Sequence, residues 1–224
     1  MPRLVLWDID HTLIESRGVG RELSAAAFEQ VTGQPMREQA KIDGITEAVI
    51  FRETAKMHGL RTDRADFERF AQALAEEHVE HARELTERGR ALPGAAAALD
   101  ALAAANVRQT VVTGNVRKVA ELKLNVFGLD SHITWDLGAY GEDADLRPAL
   151  VGLALDRSST TPANTVLIGD TPADVEGGKG NGVRVIAVAT GRSSVAELRE
   201  AGADIVLDDL TDTALLLKII TNRT

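Results

Sequence analysis

Asp8 and Asp10 stand two residues apart at the end of the apolar run Leu4-Val5-Leu6-Trp7, and Thr12 follows them. A strand alternates its side chains with period 2, so both carboxylates can leave one strand end towards the same space. Carboxylates held that close repel one another, and burying them without a partner is costly, so a cation must stand nearby. Two later stretches end in the same manner. Gln109-Thr110-Val111-Val112 runs into Thr113, then Gly114-Asn115, while Thr165-Val166-Leu167-Ile168-Gly169 runs into Asp170, then Thr171-Pro172-Ala173-Asp174. Carboxylates in such sets serve as nucleophiles, proton carriers or ligands of a hard divalent cation. A threonine followed by a helix start offers a hydroxyl and backbone N–H groups to an oxyanion.

These residues need strands that end together. Strands are expected at 4–8, 109–113, 132–136, 165–169, 183–189 and 204–207. Helices are expected at 21–32, 45–58, 64–88, 93–106, 115–127, 148–157, 172–180, 194–201 and 211–221. Strands alternating with helices make an α/β fold, a Rossmann-like parallel sheet with helices on both faces. In such sheets ligands bind at the carboxyl ends of the strands, where the aspartates and Thr113 converge. Residues 17–89 carry no strand signal and read as an inserted all-helical cap domain. The α/β catalytic core is then 1–16 together with 90–224.

Composition narrows the function. The chain has 224 residues, 44% hydrophobic and 26% charged, which is ample for a buried core. With 4% aromatic residues and a net charge of −9, stacking on single strands or tracking a phosphate backbone is disfavoured, so no nucleic-acid polymer is expected as partner. There is no cysteine, which removes disulfides, thiolate nucleophiles and cysteine-ligated metals. No apolar run is long enough to span a membrane and the start lacks a signal-peptide plan, so a cytoplasmic protein is expected. A small anionic substrate fits if a metal ion reverses the local charge.

Asp8-Ile9-Asp10-His11-Thr12, Thr113 and Gly169-Asp170-Thr171-Pro172-Ala173-Asp174 resemble the first, second and fourth motifs of the haloacid dehalogenase superfamily. More narrowly, the chain resembles its phosphoglycolate-phosphatase-like members with a helical cap after the first strand. The resemblance implies a phosphatase acting on a small phosphorylated metabolite, with Asp8 as nucleophile and Asp10 as general acid and base. It implies that Thr113, with Gly114 and Asn115, holds the phosphoryl group. It further implies Mg²⁺ bound by Asp8, Asp170, Asp174 and the backbone carbonyl of Asp10. The third motif is usually a lysine; here the matching place reads Leu146-Arg147-Pro148, so Arg147 is expected to carry that positive charge. Lys123 and Lys118 are the alternatives. His11 stands where the superfamily usually has glycine. Within the superfamily the second aspartate, Asp10, disfavours dehalogenase and phosphonatase chemistry; a sugar phosphomutase stays open, as does a non-catalytic protein retaining the fold.

Plainer readings compete at several places. Thr171-Pro172-Ala173-Asp174 makes a good helix start, which accounts for Asp174 but not for Asp170. Asp43-Gly44-Ile45-Thr46-Glu47 reads either as a cap turn that meets substrate through Gly44 and Thr46, or as a capped helix start. His78 and His81, among Glu76, Glu77 and Glu80, read as a solvated face. Gly177-Gly178-Lys179-Gly180-Asn181-Gly182 reads as helix termination, since it follows a helix and lacks the P-loop pattern.

Overall fold

The computed structural model describes residues 4–221. In chain order its strands are β1 (Leu4–Trp7), β2 (Ile14–Glu15), β3 (Arg90–Ala91), β4 (Arg108–Val111), β5 (Thr165–Gly169), β6 (Arg184–Val188) and β7 (Ile205–Leu207). Its helices are α1 (Val19–Thr32), α2 (Glu47–Met57), α3 (Arg64–Glu80), α4 (Ala82–Arg88), α5 (Ala95–Ala104), α6 (Arg117–Val126), α7 (Arg147–Ser158), α8 (Pro172–Gly180), α9 (Val195–Glu200) and α10 (Thr213–Thr221). Five strands form one sheet in the order β4-β1-β5-β6-β7, and every pairing in it is parallel.

Alternation along β1 divides the core. Val5 and Trp7 pack with α5 and α10 through Leu99, Leu102, Leu216 and Ile220. Leu4 and Leu6 pack on the other face against Leu150, Val151 and Ala154 of α7 and Val175 of α8. Both faces of β1 are thus covered, which is why its run is apolar throughout. The chain steps from β1 to β4 on one side and then to β5 on the other, so the order reverses beside β1. That reversal opens a crevice at the carboxyl ends of β4, β1 and β5.

Helices α1, α2, α3 and α4 share a third apolar cluster built on Phe28, Phe51, Phe67, Phe70 and Leu85, with Val116 and Val119 of the α6 region closing it. Phe51 stacks on Phe70 with ring centroids 4.5 Å apart. The chain enters and leaves this helical layer through the short antiparallel pair β2–β3, which the sequence does not announce. The expected helix 64–88 divides at His81, which is the C-cap of α3 and N-cap of α4.

The strand expected at 132–136 does not form. Ile133 bridges Gln109 once and Ala139 bridges Val112 once, with a turn of 3-10 helix at Trp135–Leu137 between them. Gly138 lets the chain pass close to Tyr140, since a Cβ there would lie 2.6 Å from the Tyr140 hydroxyl oxygen. The segment touches the free edge of β4 at two points, which blunts that edge without extending the sheet.

Candidate functional site

Three strand ends build the site. Asp8 follows β1 directly and its N–H donates to the Ile168 carbonyl of β5 at 2.9 Å, which ties this position to the neighbouring strand. Asp170 follows β5 directly, and Asp174 lies in the first turn of α8. Asp8, Asp170 and Asp174 are all buried, and one ligand atom from each lies within 4.8 Å of the others. Asp174 also completes a capping box: its Oδ2 accepts from the Thr171 N–H at 3.1 Å and the Thr171 hydroxyl at 2.6 Å. The helix-start reading is therefore correct for Oδ2, and it leaves Asp174 Oδ1 buried without a hydrogen bond.

Burial pushes the Asp8 carboxyl up to about 8, helped by Asp174 and opposed by Arg147. Burial likewise pushes Asp170 up to about 9, with Asp8 and Asp174 adding to the effect. Carboxylates this crowded are short of positive charge. A Mg²⁺ ion fits the set: the donors are hard oxygens, three carboxylates converge, and Asp174 Oδ1 has no other hydrogen-bonding partner.

Arg147 opens α7 and is 6% exposed. Its Nη2 lies 3.2 Å from Asp8 Oδ1 and its Nε lies 3.2 Å from Asp174 Oδ1. Its Nη1 donates to the Val112 carbonyl at 2.9 Å. Gly177 makes this approach possible, since a Cβ there would sit 2.7 Å from Arg147 Cγ. Gly177 and Gly178 thus lie inside α8 and let it pack closely on α7 and β6. The termination reading holds only for the last part of that glycine run, where α8 stops at Gly180 and Gly182 adopts a positive φ.

Asp10 belongs to a second network. Lys123 of α6, 5% exposed, donates from Nζ to both Asp10 oxygens at 2.8 Å and to Asn115 Oδ1 at 2.7 Å. Asn115 Nδ2 donates to Asp10 Oδ2 at 2.7 Å and to the Thr113 hydroxyl at 2.9 Å. Burial alone would raise the Asp10 carboxyl, but Lys123 and Asn115 outweigh it and hold the group below its usual range. The Thr113 hydroxyl accepts a second bond from the Asn115 N–H at 3.2 Å. With both acceptor positions filled, its O–H is left to donate outward.

The favoured cation, Arg147, and one of its two alternatives, Lys123, therefore both stand in the site with different partners. Arg147 faces Asp8 and Asp174, while Lys123 faces Asp10. Lys118 is elsewhere, donating to Gln72 at 3.0 Å. The Asp10 carboxylate is turned to Lys123 and stands outside the three-carboxylate cluster.

A cavity of about 150 Å³ opens over these residues, lined below by Asp8, Asp10, Thr113, Gly114, Asn115, Lys123, Arg147 and Asp170. The helical layer and the loop before α2 line it from above. Gly44 is there, with φ +70, and a Cβ on it would meet Ala173 Cβ at 2.4 Å. Thr46 is not among the lining residues; its hydroxyl donates to the Asp145 carbonyl at 3.4 Å and gives α2 no side-chain cap. Gly114 meets this loop directly: its carbonyl accepts from the Glu47 N–H at 2.8 Å, and a Cβ on it would sit 2.3 Å from the Ile45 carbonyl oxygen.

Four contributions escaped the sequence reading. Thr12 donates towards Asp170 Oδ1 at 3.2 Å and Asp8 Oδ2 at 3.5 Å. Gly191 lets the loop after β6 close on Asp170, where a Cβ would fall 1.8 Å from Oδ2. Glu47 lines the cavity, as does His78. His78 is 2% exposed, so the solvated-face expectation fails for it, while the His81 side chain is 42% exposed. His11 adopts φ +61, a left-handed conformation that a glycine would hold at less cost.

Comparison with known proteins agrees with this geometry. Residues 5–188 match the family model described as haloacid dehalogenase-like hydrolase. The chain is 31% identical to the phosphoglycolate phosphatase of Rhodospirillum rubrum over 218 residues, covering 93% of this chain and 88% of that one. It is 24% identical to the phosphoglycolate phosphatase of Pseudomonas fluorescens over 220 residues, 94% of this chain and 78% of that one. A hydrolase from Pseudomonas syringae superposes with a TM-score of 0.73 at 20% identity, covering 99% of this chain and all of that one, a likeness of fold. The chain belongs to the haloacid dehalogenase-like hydrolase family.

Proposed function

We propose that the chain is a Mg²⁺-dependent phosphatase of a small phosphomonoester, working through an aspartyl-phosphate on Asp8. Its class, a phosphoric monoester hydrolase, is that of the relatives named phosphoglycolate phosphatase, which match along nearly the whole chain. The observation that carries the mechanism is the division of charge: three carboxylates short of a cation beside Arg147, and a fourth, Asp10, kept apart on Lys123.

Asp8 Oδ would attack phosphorus while Arg147 balances the charge of the carboxylates behind it. The Thr113 O–H and the backbone N–H groups after it would donate to the phosphoryl oxygens. Asp10 would give its proton to the departing alcohol, then take one from the water that opens the acyl phosphate. Lys123 and Asn115 hold Asp10 ionised before substrate arrives. A phosphate dianion docking beside it raises its proton affinity, so Asp10 would take up a proton from solvent water before passing it to the departing alcohol. Mg²⁺, held by Asp8, Asp170 and Asp174, would neutralise charge on the transferring phosphoryl group. Residues 17–89 would act as the cap that covers the reaction and selects the alcohol, and the cavity volume suits a small metabolite. Phosphate release from an aryl phosphate is expected to need Mg²⁺; release that survives chelation of the metal contradicts the reading.

A further inference from the structure

Among the described residues, four buried side-chain polar atoms lack a hydrogen bond: Asp174 Oδ1, Arg147 Nε, Glu47 Oε2 and His78 Nε2. The first two face one another at 3.2 Å beneath the reacting centre. The other two belong to helices α2 and α3, on the far side of the cavity from the strand ends, and no step of the chemistry uses them.

Their hydrogen-bonding character is fixed by their surroundings. His78 Nδ1 lies 2.8 Å from the Leu74 carbonyl, which can only accept, so Nδ1 carries the hydrogen. Burial then pushes the ring down to about 4 and keeps it neutral, so Nε2 is a bare acceptor. Glu47 is anchored by its backbone to the Gly114 carbonyl, and its buried Oε2 has no donor. Burial raises its carboxyl to about 7, with Lys123 pulling it down and Asp10 adding to the rise. Two buried acceptors lining one cavity leave an unmet demand for donors, and native interiors rarely tolerate such a demand.

We propose that Glu47 and His78 form the leaving-group subsite, and that it selects phosphate esters whose alcohol carries further hydrogen-bond donors, hydroxyl or ammonium, over esters carrying a carboxylate. This rests on the phosphatase reading and sharpens its substrate. A carboxylate placed there would meet the bare acceptor His78 Nε2 and a Glu47 carboxyl that must keep its proton to avoid facing it as a like charge, while the Lys123 ammonium is already donating to Asp10 and Asn115. The cation on the same upper wall is Arg21, which is exposed at the cavity rim and is the group that would rescue an acidic substrate.

Three esters of matched length separate the cases: 2-hydroxyethyl phosphate, 2-aminoethyl phosphate and phosphoglycolate, with an aryl phosphate reporting on the core alone. The expected result is a kcat/KM for at least one donor-bearing ester about tenfold or more above that for phosphoglycolate, since an unmade bond to a buried polar group is costly. Glu47→Gln and His78→Phe are each expected to shrink that ratio, and melting curves show whether each variant is folded. Which donor-bearing ester leads tells hydroxyl from ammonium recognition. Phosphoglycolate equal or preferred, or a ratio unmoved in the folded variants, overturns the subsite. Failure on the aryl phosphate as well would instead strike the phosphatase reading.

Discussion

Arg147 occupies a position where the resembling motif usually has a lysine, and its three contacts show what an arginine can do there. One guanidinium spans Asp8, Asp174 and the Val112 carbonyl, which a single ammonium on a flexible stem does not reproduce. Arg147→Ala leaves buried carboxylates without their counter-charge, and kcat is expected to fall by about a hundredfold or more. Arg147→Lys should recover part of that loss. Near-normal turnover by the alanine variant, measured as phosphate release, would move the role elsewhere. At this scale Asp8 and Asp170 were legible because each directly follows an apolar strand, a pattern set by local chemistry. Lys123 and Thr12 were legible only as types, because their partners lie 113 and 158 residues away in the chain. His78 was misjudged from its neighbours Glu76, Glu77 and Glu80. The residues on its own helical face, Leu74 and Ala75 four and three positions earlier, are buried and pointed the other way.

Strands and helices were easier to find than the joints between them. β1, β5 and β6 read directly from uninterrupted apolar runs, since a strand covered on both faces has little room for polar residues. The His132–Asp136 segment has strand-like composition yet makes only single bridges, because a sheet edge depends on a partner's register rather than on local propensity. The β2–β3 pair involves two residues from each side, too short to leave a periodic trace. The contact between the loop before α2 and Gly114 is equally silent in sequence, and it joins the two walls of the cavity. Gly114→Ala would force the Ile45 carbonyl away from 2.3 Å and lift that wall. The expected outcome is a roughly tenfold to hundredfold loss in kcat/KM with the protein still folded, seen by comparing kinetics with the melting temperature. Unchanged kinetics would show that the walls are not coupled through this contact.

The whole molecule carries a net charge of −9 and gathers three buried carboxylates at one place. Asp8 and Asp170 have folded-state values of about 8 and about 9, raised from 3.8. Groups raised in this way contribute stability that is complete below about pH 4 and is lost as pH climbs through their folded values. Without metal, the contribution of these two groups to the melting temperature should therefore decline from about pH 4 to about pH 9. Mg²⁺ should reverse that decline, with a larger upward shift at the alkaline end because fewer protons must be displaced. Asp170→Asn should abolish most of the Mg²⁺ shift. A shift independent of pH, or one kept by Asp170→Asn, would place the ion elsewhere. No helix among the described residues is long and apolar enough to cross a membrane.

The proposed mechanism depends on the Asp8 carboxylate taking the phosphoryl group, and one measurement reaches it most directly. Phosphate release from an aryl phosphate with saturating Mg²⁺ should fall by more than about a thousandfold in Asp8→Asn, while its melting temperature stays at or above that of the parent. Turnover by folded Asp8→Asn close to that of the parent would contradict the mechanism.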